Sequence, residues 1–385
     1  LSLWETSFSG GVVMRNLGHL QQFEMVLRAR SPLFIGSGLT YHKHEYCYQS
    51  QKKTVSIIDQ DAFFRLLIER NCIDVYEAFV LNQPKNLYAF LSHECRFSAE
   101  QIERITKYQV SAADALSENK PLQELHAFMR GANGDAYIPG SSLKGALRTI
   151  LLCDLISREK KGSWPKGKNK KESSLRMGEL EGAYFHTLSL QKKVSGEIKN
   201  DPVNSIMRGV SVSDSGVISD QQMILCQKID VCPDGNQNRV NVCRECVKPR
   251  TEISFTVTLD QSVLKNTITA NTILQTIQKY SHFYEEQFDS SFERPDGDAG
   301  ISYENAIVLG GGSGYFSKTI PYVYLGAEKG LEETAEIMKW LFPRNSEKTG
   351  IHDFDVETGI SPHMLKYTKY NGALYPYGVC EVMIR

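Results

Sequence analysis

The sequence has no long apolar run. None of its 385 residues lies in a stretch approaching the ~20 apolar positions of a helical membrane span, so no membrane partner is expected. The opening residues, LSLWETSFSGGVVMRN, lack a basic segment followed by an apolar core. No secretory signal is expected there, and the stretch reads as a loose extension ahead of Met14. Hydrolase and kinase signatures are also missing: there is no G-x-S-x-G, no H-E-x-x-H and no protein-kinase set. No excess of one charge exists either, with 44 Lys and Arg against 45 Asp and Glu. Any nucleic acid must therefore be met by local basic patches, not by a global field. Nine scattered cysteines, an odd number, offer no disulfide framework and point to a reducing, cytoplasmic setting.

What is present is a globular composition, 41% hydrophobic and 23% charged, in a chain long enough for two or three domains. QFEMVLRAR (22–30) alternates apolar and polar positions, as a half-buried strand does, and VSII (55–58) is a short strand. From Asp59 to about Gly131 the texture becomes helical. DQDAFFRLLIERN, SAEQIERITKYQV and PLQELHAFMRG carry helical spacing behind Asp, Ser or Pro. A helix over 143–157 follows, with apolar residues at 143, 146, 147, 150, 151 and 155. REKKGSWPKGKNKKESSLR (158–176) holds eight basic and two acidic residues and reads as a loop or linker. Strands are predicted at MILCQKIDV, TEISFTVTLD and PYGVCEVMIR, and a helix at 271–288.

YIPGSSLKGALRT (137–149) has the glycine spacing of a phosphate-binding P-loop, but Gly145 is followed by Ala146 and Leu147. The lysine and hydroxyl that would hold phosphate and magnesium are absent, which excludes a nucleoside triphosphatase. Ser141 or Ser142 is placed to cap the helix, and Lys144 and Arg148 share one face off the apolar stripe. That arrangement suits a nucleic-acid phosphate, and it equally suits an ordinary capped helix with a solvated basic face. The glycine runs IGSG (35–38) and GGGSG (310–314) each follow an apolar strand, as anion-binding nests or as tight turns.

Other candidates are weaker. Cys226, Cys232, Cys243 and Cys246 hold one C-x2-C pair, and a hairpin turning at PDGN is preferred over zinc. His42, His44, Glu45 and Cys47 read as a solvated loop before a catalytic or metal site. Lys366 and Lys369 interleave with Tyr367, Tyr370, Tyr375 and Tyr377, as in single-stranded RNA binders or tyrosine-rich interfaces. Residues 281–304 carry seven acids and one base, a solvated or protein-contacting surface.

Taken in order, PLFIGSG, YIPGSSLKGALRT, DPVNSIMRGVSVSDS, CQKID, RECVKPRTEISFTV, LGGGSGYFSKT and LKYTKYNGALYPYGVCEV resemble the RAMP superfamily of CRISPR type III systems. More narrowly they resemble the family of fifth Csm subunits of type III-A effector complexes. The resemblance implies an α+β chain of two tandem modified ferredoxin-like (RRM-like) RAMP domains. These would be 20–248, with a helical insertion at about 59–131 and the basic loop 158–176, and 249–385, behind an extension 1–19. It implies a subunit that holds the 3′ part of the CRISPR RNA, closes one end of the backbone filament and supports CRISPR RNA maturation. Implied partners are the CRISPR RNA, target RNA in the assembled complex, the backbone RAMP subunit, the other Csm subunits and host 3′-trimming nucleases. No cofactor or metal is implied.

In such complexes the target is cut by the backbone subunit, through an aspartate in the loop after the first strand. The corresponding loop here, GSGLTYHKHEYCYQ, has no aspartate and only one acid, Glu45. The implied role is non-enzymatic, with an endoribonuclease built on His42, His44 and Glu45 as the alternative. By the same analogy the guide RNA is contacted by Gly36, Ser37, Gly38, Ser141, Ser142, Lys144, Arg148, Arg208, Gly311, Gly312 and Lys318.

Overall fold

A computed structural model describes residues 5–9, 12–82, 86–112, 114–116, 124–167, 169–343 and 350–385. The fold is a mixed helix-and-sheet structure built on two sheets. The first is organised by the strand Leu20–Ala29, whose alternating Phe23, Met25, Leu27 and Ala29 are all buried. Glu252–Asp260 pairs antiparallel along its whole length, and Val379–Ile384 takes the other edge. Val210–Val212 and Ala306–Val308 extend this sheet on its two sides. The region read as a loose extension contributes a hairpin instead. Glu5–Ser9 pairs with Val12–Leu17, which turns at Gly18 onto the start of Leu20–Ala29. Gly18 has φ +65°, a turn conformation that glycine adopts without strain.

The second sheet runs in the order Gly36–Tyr41, Glu124–Phe128, Gln237–Val247, Met223–Val231, Thr106–Ser111, Thr54–Ile58, Tyr46–Gln49. The hairpin Leu365–Tyr370/Ala373–Pro376 attaches to Met223–Val231. Strands from before and after residue 249 thus lie in both sheets.

The helical reading of 59–131 holds only in its first part. Helices Gln60–Glu69, Ile73–Leu81 and Ala99–Arg104 form, capped by the side chains of Asp59 and Ser98 at the first and last. They close over a small core of Phe63, Leu67, Tyr76, Phe90 and Ile102. Thr106–Ser111 and Glu124–Phe128, however, are strands. Sheet partners on both sides of each override the local helical spacing. Residues 121–123 of that predicted helix lie outside the described residues.

The predicted helix at 143–157 spans Gly140–Arg158 and buries Leu143, Leu147, Ile150 and Leu151. Each such side chain contributes about 1.5–3 kcal/mol of burial. It packs against Ala270–Gln287, which buries Ile273, Ile277, Tyr280 and Tyr284. The stretch read as a basic linker is partly helical: Lys170–Phe185 is a helix, and the Asn169 side chain accepts the Glu172 N–H. Trp164 packs on Tyr324 with ring centres 5.4 Å apart. Among the described residues, no helix is long and apolar enough to cross a membrane.

Candidate nucleic-acid interface

The two glycine runs, 275 residues apart at their first members, meet at Phe34. The amide of Gly311 donates to the Phe34 carbonyl at 2.8 Å. A Cβ on Gly311 would lie 3.3 Å from the Phe34 ring, and one on Gly36 would lie 2.9 Å from it. Gly310, at φ +94°, sits where any side chain would overlap the Phe34 carbonyl oxygen. Here glycine serves close approach, not mobility. The hydroxyls of Ser313 and Ser317 bond to one another and to the carbonyls of Gly310 and Gly314, fixing the loop internally. The amide of Ser313 turns back on the Gly310 carbonyl, and those of Gly312 and Gly314 find no acceptor among the described residues. Bundled free amides of this kind form an anion-binding concavity.

Cations surround that concavity. Arg244 lies under Gly312, its guanidinium held between the rings of Phe34 and Tyr377 at 5.3 and 5.4 Å. Its Nε and Nη1 are buried without a hydrogen-bond partner. Strand alternation puts Glu245 on the opposite face. There its carboxylate accepts the Phe128 amide at 2.9 Å and faces Arg130. Lys366 lies against Gly314 and binds Asp230 at 2.9 Å, and Lys228 reaches the same carboxylate at 3.5 Å. Two lysines therefore share one acid, with Arg244 close enough to repel Lys228. Burial lowers the Lys228 pKa, and Lys366 lowers it further. His126, opposite Arg244 in the sheet, is likewise lowered by burial and then by Arg244. Extra negative charge delivered here would relieve the repulsion.

The other predicted residues stand elsewhere. Ser37 donates to the Ala127 carbonyl at 3.3 Å, beside a bulge in which Gly38 takes φ +87°. Ser141 and Ser142 do not cap their helix. The helix starts at Gly140, whose amide donates to the Asp214 carboxylate at 2.8 Å. A Cβ on Gly140 would overlap the carbonyls of Val212 and Ser213, which explains the glycine. The helix N-terminus thus already holds an anion supplied by the chain itself. Lys144 is half-buried, and its pKa is lowered by burial and by Arg148. Arg148 is neutralised by Glu181, with Nη2 at 2.5 Å, and covers Phe185. Arg208 donates to the Val203 carbonyl at 2.8 Å. Lys318 is exposed at the end of the short turn Phe316–Lys318. No hydrogen bond, ion pair or ring contact among the described residues ties Lys144, Arg148 or Arg208 to the glycine loops.

In the 42–45 turn, Glu45 accepts the His42 amide at 2.7 Å, and the His42 and His44 rings stack 6.0 Å apart. No hydrogen bond or ion pair among the described residues links the Glu45 carboxylate to either imidazole, and the His42 ring lies 3.8 Å from Glu124 instead. Cys226 lies opposite Arg244 and Cys243 opposite Gln227 in the Met223–Val231/Gln237–Val247 hairpin, which turns at PDGN. All nine cysteines are free thiols. Of the interleaved tyrosines, Tyr367 and Tyr377 are core residues, while Tyr370 and Tyr375 pack edge-on at 5.8 Å. Asp289 and Asp298 of the acidic stretch are tied to Arg294.

The RAMP superfamily model matches residues 26–340. The chain belongs to the RAMP superfamily. Among curated RAMP relatives, the "CRISPR system Cms protein Csm5" of Mycobacterium tuberculosis (strain CDC 1551 / Oshkosh) is 26% identical over 391 residues, covering 95% of this chain and 98% of that protein. The Csm5 of Streptococcus thermophilus is 26% identical over 311 residues, covering 77% and 80%. One chain of the cryo-EM structure of a Csm–crRNA–target RNA ternary complex superposes with a TM-score of 0.67. It is 16% identical and covers 94% of this chain and 100% of that one. The crystal structure of T. onnurineus Csm5 gives a TM-score of 0.59, at 15% identity, with 92% and 99% covered. Those two likenesses carry the fold.

Proposed function

We propose that this RAMP chain is a non-catalytic RNA-binding subunit of a type III-A CRISPR (Csm) ribonucleoprotein complex. It holds the 3′ part of the CRISPR RNA, closes one end of the backbone filament and supports maturation of that RNA. The observation that carries this is the meeting of the two glycine runs on Phe34, with Arg244 against Gly312 and Lys366 against Gly314. Such a site grips phosphate and backbone shape and reads no base edge. Full-length similarity to Csm5 proteins supports the subunit assignment. The ternary complex containing a similarly folded chain supports CRISPR RNA, target RNA and the other Csm subunits as partners. Host trimming nucleases belong to the same proposal.

In this reading, 20–248 and 249–385 are two modified ferredoxin-like units that share strands across both sheets. Gly36, Ser37, Gly38, Gly311 and Gly312 line the guide, with Lys144 and Lys318 as further backbone contacts. Ser141, Ser142, Arg148 and Arg208 are further proposed guide contacts, with Arg148 also paired to Glu181 and Arg208 bonded to the Val203 carbonyl.

The test is purification of the chain from its host with its bound nucleic acid, followed by sequencing. Short RNAs with a common 5′ repeat tag and ragged 3′ ends are expected. Absence of RNA, or random fragments, contradicts the proposal.

A further inference from the structure

The turn segment that precedes the Leu365–Tyr370 strand has an inverted burial pattern. Ile351, Phe354 and Val356 are 61, 53 and 46% exposed, whereas His352 and Asp355 between them are 4 and 0% exposed. A segment folding by apolar burial alone would do the reverse. Something polar at its centre sets the arrangement. His352 Nδ1 lies 3.0 Å from one Asp355 oxygen, and His363 Nδ1 lies 2.5 Å from the other. The Ser361 hydroxyl donates to Asp355 at 2.6 Å, and the two imidazole rings are 4.9 Å apart. The ligand atoms of His352, Asp355 and His363 all lie within 4.8 Å of one another. Phe342 covers the His352 ring, and the Tyr322 hydroxyl donates to the Ser361 carbonyl at 2.8 Å.

We propose that His352, Asp355 and His363 form a binding site for one zinc-like divalent transition-metal ion. Two imidazole nitrogens and a carboxylate oxygen are the donor set such an ion takes. The three ligands come from twelve residues, so the ion would clamp this turn together (spacing His-x2-Asp-x7-His). The Ser361 oxygen or a water fills the fourth position. Ligand atoms around a tetrahedral zinc stand roughly 3.3 Å apart, so binding closes the widest pair of the cluster by up to about 1.5 Å and opens the His363–Asp355 pair by about 0.8 Å. On binding, each imidazole gives up its Nδ1 hydrogen bond to Asp355 and presents the Nδ1 lone pair. A neutral ring then carries its one proton on Nε2, and a protonated ring releases its second proton to solvent. The clamp lies three residues before Lys366 and would stiffen the chain that delivers that lysine to the glycine loop.

The test uses the full chain, stripped with chelator and titrated with Zn2+ against a chromophoric competitor. One ion per chain is expected, with affinity falling at least tenfold in His363→Ala and in the milder His363→Gln. Unaltered affinity in a folded His363 variant overturns the proposal. Should those variants not fold, Co2+ added to the wild-type chain decides. Tetrahedral ligand-field bands without thiolate charge transfer support the site. No binding, or thiolate charge transfer from the free cysteines, overturns it.

Discussion

The guanidinium of Arg244 occupies the space that a side chain on Gly312 would need. Gly312 also has φ +90°, a conformation other residues adopt only with strain. One residue of the glycine run is therefore fixed by an arginine on a neighbouring sheet strand. The loop covers a half-buried cation. Gly312→Ala should destabilise the chain by about 1–3 kcal/mol in chemical denaturation. It should also weaken RNA binding, because the alanine displaces Arg244. Unchanged stability and binding would show that the loop can move away from the arginine.

The helix cap separates two arrangements. Asp214→Ala removes the acceptor of the Gly140 amide and should cost about 1 kcal/mol of stability. Ser141→Ala should change stability by less than about 0.5 kcal/mol, as surface substitutions do. Thermal or urea unfolding of the two variants side by side gives the answer. The opposite order would return the capping role to the serine.

Glu245 supplies a pH dependence. Burial raises its pKa, with Arg130 and the Phe128 amide opposing. A carboxyl raised in the folded state favours folding when protonated, and that contribution is lost as pH rises through the raised value. The stability of the wild type relative to Glu245→Gln should therefore fall as pH is taken from about 4 toward neutrality. Urea titrations at several pH values measure it. A relative stability that rises with pH contradicts the assignment.

The 42–45 turn should be inert toward RNA, since no hydrogen bond or ion pair among the described residues links the Glu45 carboxylate to either imidazole. Labelled precursor RNA should stay intact with the purified wild-type chain. Cleavage that disappears in His42→Ala/His44→Ala would establish an endoribonuclease instead.

Local pattern makes the sheet strands legible: the alternation of Phe23, Met25, Leu27 and Ala29 names its own buried face. The stripe from Leu143 to Leu155 likewise names its helix. Pattern fails where a distant partner decides. Glu124–Phe128 has helical spacing, yet two neighbouring strands claim it. The acceptor at Gly140 comes from residue 214, which no capping rule can see. Both glycine runs are visible in the sequence, but their meeting at Phe34 is not. Arg244 and Lys228 give no signal because each is one cation in a strand, and only pairing puts them on one face. Lys366 is visible through its interleaved tyrosines, although two of those are core residues and not stacking platforms. The His352, Asp355 and His363 cluster escapes notice because its spacing matches no common ligand motif.

The central claim is that RNA is held through its phosphates at the glycine loop. Filter binding of a CRISPR RNA across a salt series tests it most directly, comparing wild type with Lys228→Ala/Lys366→Ala. The log–log salt slope should shrink by roughly 1.4, about 0.7 for each single-strand phosphate that a lysine no longer neutralises, with weaker binding at every salt concentration. Equal affinity and equal slope in the two proteins would place the RNA elsewhere on the chain.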